Sequence, residues 1–281
     1  MAKWSTIAKY HRKGSKVRVV CKRKLLGKRV LLTGASSGIG WYLATQLVRE
    51  GALVIATARR AERLRDLCLA VGNPSRRLIA LPGDVTDACH RDAMLEVAQS
   101  KLGGLDLVIH NAGIGAVGPF ASATEQRMRR IFEVNFFAVT ELTRIALPLL
   151  QSGVDPALCV VSSVLAHRGV PRKSEYCAAK FALRGWSESL RLELQPRGID
   201  VIAVSPSTTQ SEFFDSLLDT DPAERSRSFG AMSAESVARS ILWAVRRGKR
   251  ELILSPVGRA LVWFSRLAPA LTDRILLRYA S

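Results

Sequence analysis

Short apolar runs alternate with segments of helical length along most of this chain. The runs are rich in Val, Ile and Leu and cover 29–33, 53–58, 78–82, 105–110, 158–162, 201–205 and 252–254. Their apolar positions are continuous, which is typical of strands buried on both faces. The segments between them carry apolar residues at helical spacing, for example over 39–50, 61–71, 88–101 and 174–195.

Repeated alternation of strand and helix predicts an α/β fold with right-handed crossovers and one doubly wound parallel sheet of Rossmann type. We expect a single domain over residues 26–256. A basic extension over 1–25 precedes it, and a helical tail over 257–281 follows it.

A glycine-rich turn lies between the first predicted strand and the first predicted helix. Residues 33–40 read TGASSGIG, so that three residues and then one residue separate the glycines. Glycines at such a turn let the backbone bring a pyrophosphate close to the amides of a helix N-terminus. The predicted cofactor contacts here are Gly34, Ser36, Ser37, Gly38, Ile39 and Gly40.

This glycine spacing resembles the short-chain dehydrogenase/reductase family, and the resemblance runs from about Leu26 to Leu254. Further signatures follow in chain order: Asp84-Val85, Asn111-Ala112-Gly113, Asn135, Ser163, Tyr176 and Lys180. The resemblance implies that the first two groups bind the adenine end of a dinucleotide and brace the sheet. It implies that Asn135, Ser163, Tyr176 and Lys180 form a catalytic tetrad.

The end of the second predicted strand favours NADP(H) as the cofactor. Dinucleotide sites specific for NAD usually place an acid there to hold the ribose hydroxyls, but this chain has Ala58 followed by Arg59. The missing carboxylate removes repulsion against a 2′-phosphate, and Arg59 offers it charge-assisted hydrogen bonds. The alternative is that Arg59 is an ordinary surface cation at a turn.

The catalytic hypothesis rests on Tyr176 and Lys180, which lie four residues apart and therefore share one helix face. Reduction of a carbonyl needs a proton for the developing alkoxide, and a nearby ammonium is expected to lower the pKa of the Tyr176 phenol from about 10. Ser163 is expected to donate a hydrogen bond to the substrate oxygen and so orient it. By resemblance, Lys180 also holds the ribose and contacts the cofactor together with Tyr176, while Asn135 anchors a water next to Lys180.

One departure from the family pattern follows the sixth predicted strand. The family usually has Pro-Gly and then a Thr near the nicotinamide, whereas this chain has Pro206, Ser207 and, at the Thr position, Ser211. Pro206 and Ser211 are predicted cofactor contacts. Because Ser207 replaces the usual glycine, the family pattern does not predict the backbone conformation at this position.

Residues 207–232 are the predicted substrate lid. They include Phe213, Phe214, Leu217, Leu218, Phe229 and Met232. One interpretation is an apolar wall for a lipophilic carbonyl compound, lipid- or steroid-like. The other is that these side chains simply pack a mobile helix onto the domain.

The tail mixes apolar residues with Arg259, Arg266, Arg274 and Arg278. That mixture suits an amphipathic helix on a membrane or against a partner subunit, and it resembles the tails of membrane-associated reductases of the family. Packing on its own domain is the alternative. Family resemblance also predicts a homodimer or homotetramer.

Charge is the feature of the composition that changes the picture. The net charge is +18, and residues 1–29 hold eleven Lys and Arg and no acid. A solvated extension, an anionic lipid contact, a targeting presequence and a nucleic-acid arm all stay open. Nothing else resembles a nucleic-acid module, so we expect no nucleic-acid partner.

The hydropathy and the cysteine pattern bear on where in the cell the protein is expected. Mean hydropathy is +0.10, but the longest charge-free run, Val30 to Val48, is interrupted by glycines and serines, so we expect no transmembrane helix. Five scattered cysteines without metal-ligand spacing predict reduced thiols and no metal site. These features favour a cytoplasmic enzyme, peripheral on a membrane if at all. The alternative is a catalytically inactive NADP-binding regulator or a membrane-associated scaffold.

Overall fold

The computed structural model describes residues 23–72, 77–213, 217–220 and 231–279. Seven parallel strands form the central sheet, in the order β3-β2-β1-β4-β5-β6-β9. They are β1 Arg29–Thr33, β2 Leu53–Ala58, β3 Leu78–Pro82, β4 Leu107–His110, β5 Ala157–Val161, β6 Asp200–Ser205 and β9 Glu251–Ile253. Two short strands, β7 Thr209–Gln210 and β8 Met232–Ser233, pair separately in parallel.

The strand order confirms the predicted doubly wound sheet. It turns back at β1, which pairs with β2 on one side and with β4 on the other. Ligands of open α/β sheets bind beyond the carboxyl ends of the strands at such a reversal. The first three strands have the predicted bounds, and the other four differ by one or two residues.

Nine α-helices connect or follow the strands within the described ranges. They are α1 Gly38–Arg49, α2 Ala61–Ala70, α3 Ala88–Val97, α4 Glu125–Phe132, α5 Ala138–Gln151, α6 Ser174–Leu194, α7 Ala234–Arg247, α8 Pro256–Leu267 and α9 Pro269–Leu276. The helix predicted over 88–101 divides into α3 and a π-helical segment, Ala98–Leu102. A second π-helical segment, Glu133–Phe137, joins α4 to α5 and contains Asn135.

Both faces of the sheet are covered, which explains the continuous apolar runs. On one face, Leu43 and Leu47 of α1 and Ile241 of α7 are fully buried against the strands. On the other face, Met94 of α3 and Leu142 of α5 pack with the opposite side chains of the same strands. A strand covered on both sides has no polar face to expose.

The start of the described chain corrects part of the basic-extension prediction. Leu25 is in the core, and Arg23 is buried in ion pairs with Asp200 at 2.8 Å and Asp155 at 3.1 Å. The Lys28 ammonium donates to the backbone of Val154. These cations hold the domain together and are not part of an exposed arm, because burial of each charge is matched by acceptors. Residues 1–22 of the predicted extension lie outside the described residues.

The tail forms helices α8 and α9, which rest on the domain by one side. Gly258 and Val262 are buried, whereas Trp263 is 60% exposed and Leu267 is 81% exposed. Across the described ranges, the helices are too short or too polar for any of them to cross a membrane.

Candidate active site

A cavity of about 370 Å³ opens at the carboxyl ends of β1, β4, β5 and β6. It brings together almost all of the predicted site residues. Arg59, Asp84 and Ser163 line it, as do Tyr176 and Lys180. Gly40 and Asn135 do not line the cavity, and their contacts explain why.

The glycine-rich turn packs too closely for side chains. Gly34 has φ +71°, and a Cβ on Gly40 would lie 2.0 Å from the Gly34 carbonyl oxygen. The Asn111 amide nitrogen donates to that same oxygen at 2.9 Å and to the Thr33 oxygen at 3.2 Å. Gly40 is therefore required for packing of the turn against α1, and Asn111 braces the ends of β1 and β4.

The N-terminus of α1 faces this cavity. Ser37 precedes the helix in an extended conformation and forms no side-chain cap, so the first amides of α1 have no side-chain acceptor at the cap. Together with the positive end of the helix dipole, such amides suit a pyrophosphate. Thr33, which sequence reasoning missed, accepts hydrogen bonds from the backbone N–H groups of Asn111 and Ala112 at 3.1 Å each.

At the predicted adenine end, Asp84 is held by neighbours. It accepts from the Thr86 N–H at 2.9 Å and from the Arg130 guanidinium at 2.6 Å. Burial acts to raise the pKa of Asp84, but these hydrogen bonds outweigh burial and hold it below its usual value. Arg130 was not singled out from the sequence, because it lies 46 residues away and no spacing links the two. Val85, the other predicted contact, is buried beside this pair.

At the predicted phosphate end, the two arginines after β2 behave differently. The Arg59 side chain is exposed, and no other described residue pairs with it. Arg60 donates to the Ser36 hydroxyl at 3.1 Å and forms an ion pair with Glu212 at 2.8 Å. The Arg60 charge is therefore already shared with a carboxylate, while that of Arg59 is available.

Three of the four predicted catalytic residues, Ser163, Tyr176 and Lys180, line this cavity. The Ser163 hydroxyl accepts a hydrogen bond from the Leu165 N–H at 3.1 Å, and Ser163 lies close enough to the Tyr176 phenol to act on its pKa. The Lys180 ammonium donates to the Val161 carbonyl at 3.3 Å and lies 5.6 Å from the centre of the Tyr176 ring. Helix α6 thus presents both residues on one face, as the four-residue spacing predicts.

The pKa of the tyrosine differs from the sequence expectation. Burial raises the pKa of Tyr176 above 10, and Ser163 offsets only part of that rise. Burial also lowers the pKa of Lys180 to about 8. The expected lowering by Lys180 is wrong for this arrangement, because removal of the phenol from water dominates. Tyr176 is therefore a protonated phenol at neutral pH and is ready to donate.

Asn135 acts on the backbone behind the cavity. It is fully buried, its amide oxygen accepts from the Ile114 N–H at 3.1 Å, and its amide nitrogen donates to the Ile114 carbonyl at 2.8 Å. A Cβ on Gly113 would lie 2.9 Å from the Asn135 oxygen and 3.7 Å from the Lys180 nitrogen. Asn135 therefore sits beside Lys180 with only Gly113 between them.

The segment after β6 accommodates the departure from the family pattern. The non-glycine residues with positive φ in the described ranges do not include Ser207, so no glycine is required there. The Pro206 carbonyl accepts from the Val164 N–H at 2.9 Å. Ser211 lies against the start of α1, 2.9 Å from where a Cβ on Gly38 would be. Its hydroxyl is thus placed beside the glycine-rich turn.

The described part of the predicted lid covers the tyrosine. The Phe213 ring packs edge-on to the Tyr176 ring with centroids 6.0 Å apart. Phe213 and Leu217 come within 3.1 Å of the position of a Cβ on Gly115, and the Leu218 N–H donates to the Gly115 carbonyl at 2.9 Å. The predicted lid residues Phe214 and Phe229 lie outside the described residues.

These features fit a dinucleotide. The turn offers a backbone cradle that a Cβ would fill, α1 offers N-terminal amides, and Arg59 offers an available cation. A metal ion has no such site, since no cluster of three ligating side chains occurs within the described ranges.

Known proteins share this sequence and architecture. The family model for short chain dehydrogenase matches residues 28–222. The chain is 32% identical to a ketoacyl reductase, HetN, of a Nostoc species over 89% of this chain and 88% of that one. It is 32% identical to an 11-beta-hydroxysteroid dehydrogenase-like protein of Arabidopsis thaliana over 89% and 85% of the two chains.

A solved structure agrees with these relatives. A short chain dehydrogenase from Burkholderia cenocepacia, in complex with NADP, superimposes with a TM-score of 0.74 at 30% identity and covers 85% of this chain and 100% of that one. The sheet order, the glycine-rich turn and the Ser163, Tyr176 and Lys180 arrangement are consistent with that match. The chain therefore belongs to the short-chain dehydrogenase/reductase family and is an oxidoreductase that uses a nicotinamide cofactor.

Proposed function

We propose that this protein is an NADP(H)-dependent oxidoreductase that interconverts a lipophilic ketone or aldehyde and the corresponding alcohol, with Tyr176 as the general acid and base. The observation that carries the proposal is that Ser163, Tyr176 and Lys180 line one cavity, with Lys180 5.6 Å from the centre of the Tyr176 ring and Ser163 close enough to act on the pKa of the Tyr176 phenol. Two hydroxyls in one cavity can both donate to a single carbonyl oxygen.

The preference for NADP(H) rests on charge. Ala58 leaves no carboxylate at the end of β2, and Arg59 is a cation without a partner in the described part of the chain. A 2′-phosphate carries negative charge and accepts charge-assisted hydrogen bonds from guanidinium groups. The solved relative from Burkholderia cenocepacia was crystallised with NADP.

The protein residues divide the work of proton transfer. When bound, the reduced cofactor supplies a hydride. Tyr176 gives its proton to the substrate oxygen as negative charge develops there, and Ser163 donates a second hydrogen bond that fixes the oxygen. Lys180 carries a positive charge below pH 8 and stabilises the phenolate that Tyr176 becomes after transfer. Asn135 holds the backbone at Gly113 and Ile114 next to Lys180.

The lipophilic character of the substrate is supported by the walls of the cavity. Apolar side chains line the end beyond Tyr176: Ile114, Val117, Val164, Leu165, Phe213 and Leu217. Walls of this kind favour apolar ligands with few polar groups. The names of the relatives point the same way, since one is a ketoacyl reductase and another is hydroxysteroid dehydrogenase-like.

The surroundings of the site support two further proposals. The exposed Trp263 and Leu267, beside the exposed Arg266, suit peripheral association of a cytoplasmic protein with an anionic membrane. Phe137, 48% exposed, and Phe181, 43% exposed, lie on the segments that hold Asn135 and Tyr176 and suit an interface between copies in a homodimer or homotetramer.

Replacement of one phenol tests the catalytic proposal. Tyr176→Phe removes only a hydroxyl, so NADPH binding should persist while kcat for a lipophilic ketone falls by roughly 100-fold or more. Tyr42→Phe is the matched control, because Tyr42 lies on α1 with 39% exposure and outside the cavity lining. Turnover by Tyr176→Phe at the parental rate would remove the assignment. NADPH binding without turnover of any ketone or aldehyde would favour the inactive regulator.

A further inference from the structure

Lys173 is a cation of the cavity that the proton-transfer scheme leaves unused. It immediately precedes α6, three residues before Tyr176, and it lines the same cavity as Tyr176 and Ser163. Its side chain is half-buried. A lysine so close to the reacting groups is within reach of the substrate without being part of the catalytic set.

The other charged groups around the cavity are mostly engaged. Arg60 pairs with Glu212 and Arg130 pairs with Asp84, while Lys180 donates to the Val161 carbonyl. The Lys173 ammonium forms neither an ion pair nor a hydrogen bond with any residue that the structure describes.

The position of Lys173 is unfavourable for a positive charge. Burial lowers the pKa of Lys173 below 10.5, and the nearby Cys177 thiol only partly opposes that effect. The N-terminus of α6 adds the positive end of a helix dipole, which also disfavours a cation. The Lys173 ammonium is half-buried, has no anion beside it among the described residues and lies at the positive end of a helix dipole. A ligand that supplies a negative charge would therefore stabilise it.

The surroundings indicate what kind of ligand this is. Arg59 also lacks a partner in the described ranges, but it lies at the end of β2 where the dinucleotide is expected. Lys173 instead lies three residues before Tyr176 at the start of α6, and it lines the cavity together with the apolar Val164, Phe213 and Leu217. Around Lys173 the cavity therefore combines one cation with apolar walls.

We infer that Lys173 binds an anionic group on the substrate, which makes the preferred substrate a lipophilic ketone or aldehyde that also carries a carboxylate or a phosphate. This inference rests on the proposed function and specifies its substrate class. Lysine binds a carboxylate or a phosphate as a point charge, so Lys173 can recognise either group in the same way.

Turnover of matched substrates tests the inference. The substrates are oxodecanoic acids with the ketone at successive positions, and the methyl ester of each acid. The wild-type enzyme should prefer the best acid over its ester by about 10-fold or more in kcat/KM, the scale of one hydrogen bond between charged groups. Lys173→Met should abolish that preference and leave turnover of the esters nearly unchanged, whereas Lys173→Arg should restore part of it.

A surface lysine provides the matched control. Lys249→Met removes one positive charge from an exposed residue that lies over the Trp243 ring, away from the cavity. It should keep the full preference for acid over ester. Loss of the preference in Lys249→Met to the same extent would assign the effect to net charge and overturn the inference.

A binding measurement keeps the test independent of turnover. Decanoate, decyl phosphate and decanol are titrated calorimetrically into the full chain in the presence of NADPH. Decanoate or decyl phosphate should bind about 10-fold or more tightly than decanol, and Lys173→Met should remove the difference. The stronger of the two anions identifies the headgroup.

The outcomes separate the two proposals. If no ketone is turned over but Lys173→Met still loses the anion preference in calorimetry, the proposed function fails and the anion site stands. If esters and acids are turned over equally and decanoate, decyl phosphate and decanol bind alike, the anion site fails and the oxidoreductase stands. Thermal melting of Lys173→Arg and Lys173→Met confirms that each variant is folded before either result is accepted.

Discussion

The glycine-rich turn allows a quantitative test with two chemically identical substitutions. Gly40 and Gly185 both lie within helices, Gly40 in α1 and Gly185 in α6. A Cβ on Gly40 would lie 2.0 Å from the Gly34 carbonyl oxygen and 2.6 Å from the Asn111 amide nitrogen. A Cβ on Gly185 would have no atom within 4 Å. Each is changed to alanine.

The expected effects have opposite signs. In Gly40→Ala the Gly34 oxygen would have to retreat by about 1.4 Å, the difference between 2.0 Å and an ordinary contact of 3.4 Å, and it would give up the 2.9 Å hydrogen bond from Asn111. Such overpacking should destabilise the fold by about 3 kcal/mol or more. Gly185→Ala should stabilise the fold by about 0.5–1 kcal/mol, because alanine loses less backbone entropy in a helix.

Thermal unfolding and NADPH titration measure both consequences. Gly40→Ala should melt at least roughly 6 °C lower and bind NADPH at least about 10-fold more weakly, because the distorted turn carries the pyrophosphate amides. Gly185→Ala should melt roughly 1–4 °C higher and bind NADPH like the wild type. Equal stability and equal affinity for the two variants would refute the packing argument.

Three shorter predictions address the cofactor, pH and the membrane. Arg59→Ala should weaken NADPH binding about 10-fold and leave NADH binding nearly unchanged, as measured by calorimetry. Arg65→Ala, which changes an exposed arginine on α2, should alter the binding of neither cofactor. An equal loss of affinity for both cofactors in Arg59→Ala would contradict the phosphate assignment. NADPH affinity should fall as the pH rises through about 8, because Lys180 loses its proton there. The fall should persist in Tyr176→Phe and be absent in Lys180→Met, which has no amine to titrate at this position. The full chain should float with anionic vesicles more strongly at low salt, since exposed cations are screened within about 10 Å at 0.1 M, and binding that ignores salt would assign the effect to apolar residues such as Trp263 alone.

The sequence alone determined the sheet and predicted which side chains share the candidate site. Continuous apolar runs mark strands covered on both faces, and a four-residue spacing puts Tyr176 and Lys180 on one side of a helix. Both signals depend on neighbours close along the chain, so they survive without knowledge of the fold. The exact bounds of the first three strands follow from such local patterns. The prediction of Ser163 depends on the family resemblance, and the structure places Ser163 in the same cavity as Tyr176.

The tertiary structure decided the contacts that join distant parts of the chain. Arg60 meets Glu212 across 152 residues, and Asn135 holds the backbone at Ile114 instead of lining the cavity. The direction of the pKa shift of Tyr176 also differs from the expectation. The four-residue spacing places the Lys180 ammonium near the phenol, but burial of Tyr176, on which Phe213 packs, has the larger effect and raises the pKa. Hydrogen-bond partners and the loss of water depend on how the whole chain packs, and no local pattern in the sequence encodes them.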